Sequence, residues 1–145
     1  MKKSLRCICA ALFMLAFCTG FVIHASAVER ASLYLTRYSA TVSASNNGAI
    51  EMSIFVVANK SVSELGASYF VLEESDDGGK TWSTAREYEG QSWMTAENRS
   101  TYSRTLSYPG TIGHQYRVTA EVFAKDANGG DSRTTPTSPV VTAKR

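Results

Sequence analysis

The chain has 145 residues, 43% of them hydrophobic, with 15 Lys and Arg against 13 Asp and Glu and a formal net charge of +2. That length allows one domain, and the apolar content excludes an acidic disordered chain. Lys2, Lys3 and Arg6 lie at the extreme N-terminus, which leaves 12 bases and 13 acids in residues 28–145, net −1, and excludes a basic nucleic-acid binder and a polybasic membrane binder.

Residues 1–27 carry the three parts of a secretory signal peptide. Lys2, Lys3 and Arg6 form the positive region, Ile8 to Ile23 is an apolar stretch, and Ala25-Ser26-Ala27 is a small-x-small cleavage site. Cleavage after Ala27 is expected, giving a secreted chain that begins at Val28. Phe17 before Cys18 is too bulky for a lipobox. Cys7, Cys9 and Cys18 all fall in the leader, so residues 28–145 hold no disulfide, thiolate metal site or cysteine nucleophile. A cysteine-free exported domain fits a bacterium. No later apolar stretch is long enough to span a membrane.

Residues 28–145 read as strands, with period-two alternation punctuated by Gly, Asn, Asp and Pro. Leu33 and Leu35 share one parity and Tyr38, Ala40 and Val42 the other, so a bulge is expected near Thr36-Arg37. Asn46-Asn47-Gly48 is a hairpin turn. Ala49–Ala58 is a central strand whose Ile50, Met52, Ile54, Val56 and Ala58 point inward. Ser68–Ser75 forms a third strand and Trp82–Tyr88 a fourth. Tyr102, Leu106 and Tyr108 oppose Thr101, Ser103, Thr105 and Ser107 on the next. Gln115–Lys125 is the clearest, with Tyr116, Val118, Ala120, Val122 and Ala124 inward and Phe123 the one apolar break in its polar face. Asn128-Gly129-Gly130 turns the chain, and Val140-Val141-Thr142 closes the sheet after Pro136 and Pro139. Roughly seven strands with turn signals at this spacing predict an all-β, seven-stranded antiparallel β-sandwich over 28–145.

Leu106-Ser-Tyr-Pro109-Gly110-Thr111 followed by Tyr116-Arg-Val118-Thr-Ala120 resembles the E–F corner and F strand of fibronectin type III domains, and Ser138–Ala143 resembles their final strand. The resemblance implies a fibronectin III/immunoglobulin-like frame in which the Tyr116 hydroxyl pins a corner to nearby backbone. It implies no function. In size and layout the chain is also similar to small exported proteins of Firmicutes.

Ser75-Asp76-Asp77-Gly78-Gly79-Lys80-Thr81-Trp82 matches the Asp-box pattern S-x-D-x-G-x-T-W at Ser75, Asp77, Gly79, Thr81 and Trp82. In such a hairpin the aspartate accepts backbone N–H bonds, the glycine supplies positive φ, and the tryptophan folds back on the sheet. In sialidases, which carry several copies, the motif is a structural turn remote from catalysis. No sialidase activity is expected here.

Candidate chemistry is sparse. His114 is the sole histidine after the leader, so a zinc site and a histidine-based nucleophile relay are not expected. Glu87 and Glu89 share a strand face about 6–7 Å apart, which suits a solubilising edge better than the opposed acids of a glycosidase. Asp126 to Asp131 reads as a polar hairpin, lacking the order and distal glutamate of a calcium loop. Trp93, in a polar stretch between strands, is either a plug beneath a loop or a ligand platform.

These observations predict a non-catalytic, monomeric binding or adhesion module. No cofactor or metal is expected, and the partner is an extracellular glycan or protein. Its loops are the expected site: Trp93, Tyr88, Tyr102, Arg99 and Arg104. Three alternatives predict different surfaces. A carbohydrate-binding module needs an exposed coplanar aromatic pair. A small glycan-active hydrolase needs Glu87 or Glu89 converging with Glu97 or Asp131. A structural or matrix protein needs an open edge strand able to pair with another copy.

Overall fold

The computed structural model describes residues 32–145. The expected leader and its cleavage after Ala27 lie outside the described residues. Seven antiparallel strands follow in chain order: β1 (Leu35–Ala44), β2 (Ala49–Ser75), β3 (Ser83–Glu89), β4 (Thr95–Pro109), β5 (Gln115–Asp126), β6 (Gly129–Thr134) and β7 (Val141–Thr142). They form one continuous sheet curled into a half-barrel. Among the described residues, no helix is long and apolar enough to cross a membrane.

The two strands expected at Ala49–Ala58 and Ser68–Ser75 are a single 27-residue strand, β2. The interval between them begins with the polar, exposed Asn59-Lys60-Ser61, yet the backbone stays extended through it. Irregular register between Val57 and Val62, and again between Ala67 and Tyr69, bends the strand instead of breaking it. Both edges of β2 are shared. On one edge β1 pairs with the first half and β5 with the second. On the other edge β4 pairs with residues from Ala49 to Gly66, and β3 with residues from Tyr69 to Glu74. The expected layers are therefore two arms of one sheet.

Gly66 lies where β2 runs between Thr95 of β4 and Phe123 of β5. A Cβ there would stand 2.1 Å from the Met94 carbonyl oxygen, so only glycine admits this approach. The bulge expected near Thr36-Arg37 is present between Leu35 and Arg37. Asn47 and Gly48 take positive φ in the turn before β2, as a tight hairpin requires.

The interior is filled by the inward parity of two strands: Ile50, Met52, Ile54 and Val56 of β2, and Tyr116, Val118, Ala120 and Val122 of β5, all fully buried. Leu65, Phe70, Leu72 and Met94 complete the core. Among the described residues this apolar interior runs from Leu35 to Ala143, so residues 28–145 hold the whole of that core.

One flank of the half-barrel is tied across. Asp131 on β6 accepts the Ser32 hydroxyl at 2.7 Å and the Tyr34 N–H at 2.9 Å. Near the C-terminus the Gly48 N–H donates to Lys144 O at 2.8 Å, while Gly113 and Ala143 bond to Ala143 O and His114 O at 2.9 Å. After β6 the chain continues along β5 through Thr135 and Ser138, whose backbone N–H groups bond to Ala120 O and Val118 O. Pro136 and Pro139 interrupt that pairing, since proline has no N–H to give.

Candidate functional site

The opposite flank is the gap where β3 gives way to β4 along the same edge of β2. Residues 90–94 cross it, and Ser92–Met94 form a single 3-10 turn. Met94 drops into the core. Trp93 follows it partway and meets Tyr88 of β3 edge-on, ring centroids 5.2 Å apart and planes at 78°. Phe70 stacks behind Tyr88 at 6.3 Å. The Tyr102 hydroxyl donates to Trp93 O at 2.6 Å. Burial raises the Tyr102 pKa above its ordinary value, so the hydroxyl stays a donor. Arg86 lies over Tyr88 at 5.4 Å and Arg104 over Trp93 at 5.7 Å.

Four of the five expected site residues, Tyr88, Trp93, Tyr102 and Arg104, thus meet at one place. Arg99 does not join them. It is exposed opposite Val62, about 17 Å along β4 from Arg104. The cluster closes the flank: Trp93 and Tyr88 are half-buried against the core and Tyr102 is buried. Rings crossed at 78° do not offer the parallel faces that stack together on a sugar.

The Asp-box hairpin is built around Asp77. One carboxylate oxygen accepts the Ser75 hydroxyl at 2.8 Å and the N–H groups of Lys80 and Thr81 at 2.9 Å; the other accepts the Thr81 hydroxyl at 2.6 Å. Led by the two Thr81 bonds, this donor set holds the Asp77 carboxyl far below the usual range. Ser75 also accepts the Gly79 N–H at 2.8 Å, and Gly78 and Gly79 take φ of +77° and +88°. Trp82 donates its indole N–H to Gly79 O at 3.1 Å. Arg117 stacks 4.1 Å above that ring while bonding Glu73 at 2.8 Å. Each of these five residues is used up in shaping or anchoring the turn.

Beside the hairpin is a hollow of about 150 Å³ lined by Glu74, Asp76, Thr81, Trp82, Ser83 and His114. His114 pairs through Nδ1 with Glu74 at 2.8 Å. The buried Tyr116 hydroxyl donates to the same carboxylate oxygen and accepts the Thr111 N–H at 2.8 Å. The corner bond to backbone therefore exists with the hydroxyl as acceptor. The Tyr116 bond lowers the Glu74 pKa most, and burial raises that of Tyr116. Thr81 gives its hydroxyl to Asp77, and Ser83 directs its own to Glu74 O at 3.5 Å. Neither hydroxyl is directed at His114.

The hairpin carboxylates of β5–β6 are likewise occupied. Asp126 pairs with Lys60 at 2.8 Å and accepts the Tyr34 hydroxyl at 3.1 Å and the Asn128 N–H at 2.8 Å. Glu87 accepts the Tyr69 hydroxyl at 3.0 Å. Glu89 and Glu97 line separate hollows, with Asp131 on a third. Among the described residues, no group of three or more His, Asp, Glu or Cys side chains is placed to hold a metal ion.

The surface feature that sequence reasoning did not select is Phe123. It stands half-buried on the outward parity of β5, and hollows of about 590 and 420 Å³ flank it. Phe123 and Ser68 belong to the walls of both. Asp131 and Ser132 line the larger, and Glu89, Gln91 and Ser92 the smaller. Lys125 reaches over the ring at 5.3 Å but spends its charge on Glu64 at 2.7 Å. The signal was there: Phe123 is the apolar break in the outward face of β5. Nothing local said that hollows would form beside it. No protein-family model matches the chain, and no curated protein matches it.

Proposed function

We propose that this chain is a secreted, non-catalytic recognition module on a fibronectin III/immunoglobulin-like frame, and that its ligand lies in the groove across Phe123. The observation that carries the reading is an aromatic face set between two open hollows, with polar groups on both sides. The frame is supported by strand pairing. β1 and β4 flank the first arm of β2, while β3 and β5 flank the second, so the arms correspond to the two layers of that family.

The groove favours a neutral extended glycan. It offers the Phe123 ring and a rim of acceptors for a saccharide's hydroxyls: the Glu89 carboxylate, the Ser92 hydroxyl, and the oxygens of Ser68, Ser132 and the Gln91 amide, whose own protons go to Glu121 O, the Glu121 carboxylate and Glu89 O. Its cation, Lys125, is neutralised by Glu64, so it gives no advantage to an anionic polymer. The non-catalytic part of the reading rests on the commitments of the polar groups, since Thr81, Ser83 and Glu87 all bond elsewhere.

Pull-down of residues 28–145 on insoluble glucan, chitin and peptidoglycan tests this. At least one polymer is expected to retain the protein. Phe123→Ala is expected to lose about tenfold in affinity, whereas Trp93→Ala binds as before. Equal retention with and without the Phe123 ring, or no retention on any polymer, refutes the reading.

A further inference from the structure

We propose that the outer edge of β4 is a self-recognition surface, on which a second copy of this chain adds its own β4 antiparallel. This goes beyond the binding role above and departs from the monomer expected from the sequence.

An edge strand presents a row of backbone N–H and C=O groups, and proteins blunt such edges with short length, charge, proline, bulges or a covering segment. Three of the sheet's edges are managed in this way. β3 is seven residues long and carries Arg86, Glu87 and Glu89. β6 has six residues, with Asp131 bonded to Ser32 and Tyr34, and the prolines follow it. β1 lies close to β5 and β7 and is held at its start by the same Asp131 contact.

β4 has none of these protections over most of its length. It runs for 15 residues and, among the described residues, pairs on one side only, with β2. From Thr101 to Pro109 its register against β2 is unbroken. Its sole proline is the terminal Pro109, and the positive-φ residue Asn98 lies outside this stretch. The one charge between Thr101 and Tyr108 is Arg104, which is turned onto Trp93.

The face beside this edge is matched to itself. Thr101, Ser103, Thr105 and Ser107 all point outward, and Thr105 already bonds Ser53 of β2 across the strands at 2.8 Å. Hydroxyl pairs directly opposite one another stabilise antiparallel strands, and like charges opposite one another destabilise them. A two-fold axis at Ser103 sets Thr101 against Thr105 of the second copy and Arg99 against Ser107, with no like charges opposed. A two-fold at Arg104 would set arginine against arginine. Because the contact is isologous, it uses both edges and closes at a dimer.

Sedimentation of residues 28–145 reads this directly, without any glycan present. The wild type is expected to dimerise below about 1 mM. Ser103→Lys and Ser103→Glu each set like charges opposite at the two-fold, so each is expected to weaken the dimer at least tenfold. Equimolar mixing of the two restores it. Ser103 is exposed, and unchanged melting temperatures verify that both variants fold. Because residues 28–145 contain no other cysteine, Ser103→Cys is expected to form a disulfide-linked dimer on mild oxidation, while Thr41→Cys on the outward face of β1 does not. A wild type that stays monomeric throughout, or a dimer indifferent to Ser103→Lys, overturns the proposal.

Discussion

At the scale of single residues, side chains divide by how far away their partners lie. Asp77 finds all its donors between Ser75 and Thr81, so its role can be read from the motif alone. Its pKa is lowered from an ordinary 3.8. A depressed carboxyl contributes stability that is present above the unfolded value and lost as pH falls through the folded one. Melting temperature is therefore expected to drop more steeply below about pH 4 in wild type than in Asp77→Asn, as a pH series of thermal melts will measure. Equal acid slopes would show that the turn does not depend on the charged form. Glu74, by contrast, takes its partners from 40 and 42 positions away, and no local pattern announces them. Gly66 is hidden in the same sense. A glycine in a strand suggests a bulge, but that it touches the Met94 carbonyl follows only from the fold. Gly66→Ala is expected to cost about 2–3 kcal/mol, measured by urea denaturation.

At the scale of elements, alternation identified the strands well and their ends poorly. The inward set of β5 matches its buried residues position for position. β4 begins at Thr95, earlier than its apolar alternation suggests, because its first residues pair with Leu65 and Gly66 whatever their own pattern. β2 fused from two expected strands for a related reason: the segments before and after the polar interval are each paired on both edges, and they carry the backbone through it extended. The Tyr88–Trp93 contact fills the gap between β3 and β4. Trp93→Ala is expected to lower stability by about 2–3 kcal/mol, below the cost for a fully buried tryptophan because the ring is half-buried. A Trp93→Ala variant as stable as wild type would exclude the role of plug.

At the scale of the whole molecule, one flank is closed by side chains and the other by backbone bonds from the chain's end. Deleting Ala143–Arg145, which leaves β7 in place, removes three backbone bonds, those between Gly48 and Lys144, Gly113 and Ala143, and Ala143 and His114. At about 1 kcal/mol each, a loss of about 3 kcal/mol is expected in chemical denaturation. A smaller loss would mean that Asp131 and its N-terminal partners suffice to hold the half-barrel closed. Composition, alternation and turn chemistry were enough to determine an all-β chain, the inward faces of its central strands and the internal wiring of the Asp-box, because each depends on neighbours a few positions apart. Tertiary structure alone decided that the two arms are one sheet, that Phe123 stands between hollows, and that β4, among the described residues, pairs on one side only. Those outcomes depend on which distant segments meet, and hydrophobic burial selects such meetings by shape and area rather than by any local code.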